Sequence, residues 1–182
     1  MLNFSLKKSE IVLRGKVFDL QRDELLYHTG NTGIKEVAIH PGGAVTVALT
    51  KDYKILFVEQ FRYPLQKFTL ELPAGKLSPG EEPVICAARE LEEETGHKAG
   101  KLTRLGAIAT TPGFCTEILH IFLAEDLTPG KQQLEEGEYG LQVKAYTMKE
   151  IEKMIIEGEI FDGKTISGIY MSKLHIFNKV AR

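Results

Sequence analysis

Residues 75–96 read "GKLSPGEEPVICAARELEEETG", and the second half of this stretch decides what kind of fold the chain forms. From Pro83 to Thr95 there is no internal Gly or Pro, and Val84, Ala88, Leu91 and Thr95 recur at i, i+4, i+7 and i+11. That spacing predicts a helix with this face turned to a core. Pro83 suits the first helical turn and Gly96 the position after the last. The same helix carries Glu90, Glu92, Glu93 and Glu94. Glu90 and Glu94 fall one turn apart on one flank of the apolar stripe, with Glu93 beside them and Glu92 pointing elsewhere, into solvent. Like charges at i,i+4 cost about 0.2–0.5 kcal/mol per pair. Arg89 lies one turn before Glu93 and can hold it. The helix is therefore either a solvated acidic face, the ordinary case, or a set of hard oxygen ligands for Mg²⁺ or Mn²⁺ with phosphate oxygens and water completing the octahedron.

Around this helix the sequence reads as strands. "EIVLRGKVFDLQRDELLYH", a "TGNTG" reversal and "IKEVAIH" come first, followed by "AVTVALT" and "KILFVEQF" about a "KDY" turn. "FTLELPAG" reads as one further short strand. After the helix come "LTRLGAIATT", "EILHIFLAE" and "LQVKAYT". The end is helical: Thr147 with Glu150 has the spacing of a capping box, and a last helix begins near Asp162 or Gly163. Strands enclosing a central helix and closing with helices predict an α/β or α+β sandwich on a mixed sheet.

Composition excludes several classes. The 182 residues suit one domain, or one with an added subdomain. A formal net charge of −2 without a long Lys/Arg block predicts no nucleic-acid partner and no anionic-membrane surface. The two cysteines, Cys86 and Cys115, have no disulfide or zinc spacing and read as free thiols of a reducing cytoplasm. The start, "MLNFSLKKSE", lacks the apolar run of a signal peptide, which makes a cytoplasmic protein the expectation.

Residues 158–165, "GEIFDGKT", match the P-loop expression. A working P-loop needs a strand feeding a loop whose amides cradle phosphate. Here the preceding "KEIEKMIIEG" is helical, and Ile160 and Phe161 read as packed side chains. Asp162 capping the next helix is the better reading.

Gly75, Glu81, Arg89-Glu90-Leu91, Glu93-Glu94 and Gly96 together fit G-x5-E-x7-R-E-U-x-E-E-x-G-U, with His97 standing where U, an aliphatic residue, is expected. This resembles the box of the Nudix hydrolases. "EQFRYP", "LELPAGKL", "TTPGF" with Pro112, and "DGKT" resemble its ADP-ribose pyrophosphatase branch. The resemblance implies a Nudix α/β/α sandwich with a mixed sheet and an N-terminal antiparallel β subdomain. Its boundaries would be residues 1–40, the strand region of a homodimer, and 41–182, the hydrolase domain. It implies Mg²⁺- or Mn²⁺-dependent hydrolysis of ADP-ribose, or a related ADP-sugar, to AMP and ribose 5-phosphate. The Ala74 carbonyl, Glu90, Glu93 and Glu94 would hold metal, with Arg89 steadying the cluster. Arg62 would reach phosphate or ribose and Glu117 the terminal ribose. Lys35 would stand where an arginine is usual, and Phe18 would either stack on the base or serve as a core aromatic. The water's base would be a glutamate of the loop "QQLEEGEYG", Glu138 before Glu136.

Other nucleoside diphosphate derivatives (GDP-mannose, NADH, dinucleoside polyphosphates) are the alternative substrates. A non-catalytic ADP-ribose sensor is the alternative of another class, and the retained Glu90, Glu93 and Glu94 weigh against it.

Overall fold

The computed structural model describes residues 3–180, which separate into two compact units. The first comprises residues 1–42 and 109–118, of which Met1 and Leu2 lie outside the described residues. It is built on an antiparallel sheet of β1 (Phe4–Leu13), β2 (Asp19–Tyr27) and β3 (Thr32–Ile39) in the order β1-β2-β3. The "TGNTG" reversal joins β2 to β3, with Gly30 donating its amide to the Tyr27 carbonyl at 2.9 Å. In the same unit Ala38 on β3 bridges Cys115.

The second unit comprises residues 43–108 and 119–182. One sheet runs β7 (Ala74–Lys76), β4 (Gly43–Ala48), β10 (Ile118–Glu125), β9 (Lys101–Ala109). It is mixed: β10 is parallel to β4, and β4 antiparallel to β7. A second sheet orders β12 (Gln142–Thr147), β5 (Lys54–Arg62) and β6 (Lys67–Glu71), all antiparallel. A two-residue ladder pairs β8 (His97–Lys98) with β11 (Thr128–Pro129).

Strand β4 is buried along its whole length, and its alternate residues serve opposite faces. Val45 and Val47 join Phe57, Leu72, Ile121 and Leu123 in the larger core, with Ile151 of α2 (Met148–Ile156) and Ile169 of α3 (Gly163–Val180). Ala44 and Ala48 point the other way, into clusters with Cys86, Ala87 and Leu91 of α1 (Pro83–Thr95). Helices on both faces of a mixed sheet make an α/β/α sandwich. Truncating a core side chain such as Leu91, which has no exposed surface, to Ala would cost about 2–5 kcal/mol.

The local signals are where the sequence places them. Pro83 opens α1, and Gly96 closes it in the left-handed conformation at φ 69°. Thr147 and Glu150 form a reciprocal capping box at α2. Three readings need correction. "FTLELPAG" is two strands, β6 and β7, because Pro73 cannot continue the ladder. The buried face of α1 keeps only part of the predicted stripe: Leu91 and Thr95 are buried as expected, but Val84 is 41% exposed, and Cys86, Ala87, Glu90 and Glu94 are buried as well. Glu92 is not simply solvated, since it pairs with Lys98 and accepts the Lys131 amide.

Candidate active site

The site grows from the close approach of α1 to the strand end at residues 71–76. Ala74 donates its amide to Glu94 Oε2 at 2.9 Å. A Cβ placed on Gly75 would lie 1.9 Å from the Glu90 carboxyl carbon, so only glycine lets that carboxylate lie against the backbone. These contacts carry Glu90 and Glu94 inward, to 9% and 2% exposure. Leu91, next in sequence to Glu90, anchors the helix in the core beside them.

Charge in this region is unbalanced. Arg89 is the hub: Nε and Nη2 bind the two oxygens of Glu81 at 2.9 and 3.0 Å. Its Nη1 reaches Glu90 at 2.7 Å and Glu93 at 2.9 Å. The predicted Arg89–Glu93 pair is present, and the sequence reading missed that Arg89 also serves Glu81 and Glu90. One guanidinium thus stands among four carboxylates, Glu81, Glu90, Glu93 and Glu94, a surplus of three negative charges when all are ionised.

The titration shifts follow. Arg89 and the Ser78 amide hold Glu81 down to about 2. Burial pushes Glu94 up to about 8; the Ala74 amide opposes this, while the charges of Glu138 and Glu90 add to it. Burial also raises Glu90, against the pull of Arg89. Among the described residues, no three His, Cys, Asp or Glu side chains converge as a preformed metal site. Arg89 holds Glu90 and Glu93, and the Ala74 amide holds Glu94, so their oxygens are turned to those donors. The donor set nevertheless fits a divalent cation: oxygen ligands, surplus negative charge, and two buried carboxylates that a cation would relieve of repulsion.

Beside this cluster lies a second, balanced one. Glu71, 3% exposed, takes the Arg62 fork through Nε at 2.8 Å and Nη2 at 2.6 Å, and Lys164 binds the same carboxylate. Burial alone would raise Glu71, but Arg62 and Lys164 outweigh it and hold the carboxyl down to about 2. Arg62 is therefore engaged with Glu71. Glu71 and Lys164 were legible only as parts of "LELPAGKL" and "DGKT", with no sign that they meet.

The loop with the candidate base is tied to the C-terminal end of α1. Gln132 Nε2 donates to the Glu94 carbonyl at 2.7 Å, and the Gln133 amide to the Glu93 carbonyl at 2.9 Å. These contacts cap carbonyls that a helix end leaves open. Glu138 ends a short 3-10 turn, its carboxylate accepting the Glu135 amide at 2.9 Å. Its charge is felt by both Glu90 and Glu94.

Glu117, Lys35 and Phe18 belong to the first unit. Glu117 accepts from Thr110 Oγ1 at 2.8 Å and lies 3.3 Å from His40 Nδ1. That nitrogen already accepts the Gly42 amide, so it has no proton to give Glu117. Lys35 lines a shallow cavity of about 350 Å³ with Asp23, Tyr27 and Phe4. Phe18 is 44% exposed just before β2, not a core aromatic of the unit.

The NUDIX domain family matches this chain over residues 40–167, which include the whole acidic helix and the Glu71 and Lys164 cluster. The chain belongs to the NUDIX family. Among similar proteins, the ADP-ribose pyrophosphatase of Bacillus subtilis (strain 168) is 42% identical over 167 residues, covering 91% of this chain and 90% of that protein. The methanol dehydrogenase activator of Bacillus methanolicus is 38% identical over 169 residues, with 92% and 91% covered. A crystal structure of an ADP compounds hydrolase superposes with a TM-score of 0.88 over 98% of this chain and 97% of that one, and at 20% identity it shows the shared NUDIX fold.

Proposed function

We propose that this protein hydrolyses the pyrophosphate bond of ADP-ribose, or a related ADP-sugar, to AMP and ribose 5-phosphate. The observation that carries the chemistry is the buried, under-neutralised pair Glu90 and Glu94, held against Ala74 and Gly75. Two carboxylates at this depth repel a pyrophosphate, so they suit it only with cations between. Similarity to an ADP-ribose pyrophosphatase over nine-tenths of the chain supports the choice of substrate.

Glu90, Glu93, Glu94 and the Ala74 carbonyl would hold Mg²⁺, with Mn²⁺ as a substitute. When bound, such ions neutralise the diphosphate and polarise its oxygens. Arg89 keeps Glu90 and Glu93 aligned beside Glu81. Water attacks one phosphorus, the bond from that phosphorus to the bridging oxygen breaks, and Glu138 takes the proton as general base. To do so Glu138 leaves the Glu135 amide, and the anchored segment at Gln132 and Gln133 is the fixed end about which its loop moves. Arg62, steered by Glu71, meets the phosphates or ribose; Glu117 meets the terminal ribose, and Lys35 and Phe18 the nucleoside.

In this reading residues 1–40 serve dimerisation, residues 41–182 form the hydrolase domain, and the working form is a cytoplasmic homodimer. The free thiols Cys86 and Cys115 suit a reducing compartment. Among the described residues no helix is long and apolar enough to cross a membrane. Neither a membrane nor a nucleic acid is needed as partner.

The test is product analysis by anion-exchange chromatography after incubation with Mg²⁺ and ADP-ribose, GDP-mannose, NADH, diadenosine polyphosphates or dGTP. AMP and ribose 5-phosphate, formed faster from ADP-ribose than the products of the others, is the expected result. Faster turnover of another diphosphate would overturn the substrate, and ADP-ribose binding without turnover of any compound would overturn the reaction.

A further inference from the structure

The carboxylates of α1 are placed by a strand end, and that strand end is itself held from the far end of the chain. Segment 71–75 is held from two sides. The Ala74 amide meets Glu94, and Gly75 leaves room for Glu90. On its other side, the Leu72 amide donates to Thr165 Oγ1 at 2.9 Å, across 93 residues of sequence. Glu71, first in the segment, is bound by Lys164.

Both contacts originate in "DGKT", the stretch that matches a P-loop expression but follows a helix rather than a strand. Here Asp162 opens α3 as its cap. Its Oδ2 accepts the Thr165 amide at 3.0 Å, the Thr165 hydroxyl at 2.6 Å and the Lys164 ammonium at 2.9 Å. Thr165 has no exposed surface. Its hydroxyl donates to Asp162 and accepts from Leu72, so its single proton and one lone pair are both committed in a dry setting. Lys164 bridges the Asp162 and Glu71 carboxylates. A largely buried network with these members matched sets one geometry, where an apolar contact would allow sliding.

We propose that Asp162, Lys164 and Thr165 are positioning residues for the cation site: through Glu71 and Leu72 they hold segment 71–75 at the depth where Ala74 and Gly75 set Glu94 and Glu90. None of the three touches substrate or the reacting atoms in this scheme. The inference rests on the proposed role of Glu90 and Glu94 as cation ligands. Outer partners that orient metal ligands are worth about 10–100-fold in metal affinity or activity.

The test compares Thr165→Val, which keeps the shape and removes the hydroxyl, with Thr165→Ser, which keeps the hydroxyl. Mn²⁺ binding is read by electron paramagnetic resonance without substrate, and kcat and KM for ADP-ribose with Mg²⁺. Thr165→Val should weaken Mn²⁺ binding about 10-fold or more and lower kcat similarly, with KM nearly unchanged. Thr165→Ser should restore both to within about twofold, which a loss of packing alone would not explain. If Thr165→Val does not fold, Lys164→Gln takes its place with the same expected losses. Mn²⁺ binding and kcat equal to the parent in the folded variant overturn the inference alone. A parent that binds no Mn²⁺ overturns the cation-site reading, and this inference with it.

Discussion

Glu94 Oε2 accepts the Ala74 amide at 2.9 Å, the only hydrogen bond to this carboxylate among the described residues, and Glu94 is 2% exposed. Burial raises this carboxyl to about 8, and the charges of Glu138 and Glu90 add to the rise.

Glu94→Gln should therefore stabilise the metal-free protein while disabling it. The folded-state value of about 8 lies above the ordinary 4.5, so the folded state binds the proton more tightly. Stability from this group is fully present below about 4.5 and is lost as pH rises toward 8. In EDTA at pH 7.5 the variant should gain roughly 2–4 kcal/mol, its glutamine oxygen still accepting from Ala74. With Mg²⁺ its kcat should fall by ~10²-fold or more. Urea unfolding across pH checks the first outcome and steady-state kinetics the second; an unchanged midpoint at pH 7.5 would contradict the desolvation account.

Glu71 titrates with the opposite sign. Its folded value of about 2 lies below the ordinary 4.5, so its contribution is present above about 4.5 and disappears as pH falls toward 2. Glu71→Gln leaves Arg62 and Lys164 without their shared anion and should cost roughly 2–4 kcal/mol at pH 7. Parent and variant should draw together as pH falls from about 4.5 toward 2. Parallel stability curves across that range would show that the carboxylate charge is not the cause.

Gly75→Ala forces a choice, because the new Cβ would fall 1.9 Å from the Glu90 carboxyl carbon. Glu90 must swing away, since the neighbouring atoms of β7 are backbone paired to β4. The variant should keep its far-UV circular dichroism and lose activity by about 10²-fold, in line with the loss of one well-placed ligand. Turnover near that of the parent would remove Glu90 from the site.

Glu138 and Glu136 are separated by a matched pair of Gln variants. Glu138→Gln should lower kcat by about 10²–10⁴-fold, the usual worth of a general base. Glu136→Gln should stay within about threefold, because Glu138 is the loop residue whose charge reaches Glu90 and Glu94. The reverse order would move the proton acceptor to Glu136.

How far the sequence could be read follows the range of the forces involved. The ends of α1 at Pro83 and Gly96, the capping box of Thr147 and Glu150, and the Asp162 cap were legible because each is settled within a few residues of backbone. The box spacing carried the family for the same reason, as it names one strand end, one turn and one helix. Hydrophobic periodicity went wrong on the inward face of α1. It places Leu91 and Thr95 correctly but counts Val84 as core and glutamates as surface, yet Val84 is exposed while Glu90 and Glu94 are buried.

The sequence by itself determined the elements, the mixed-sheet sandwich and the acidic helix with Arg89 among its carboxylates. Only the tertiary structure decided that Glu94 meets Ala74, 20 residues away, and that Lys164 and Thr165 meet Glu71 and Leu72, each 93 residues away. Burying a charge is unfavourable until its partner arrives, and here the partners come from strand ends and a helix cap that only folding brings together.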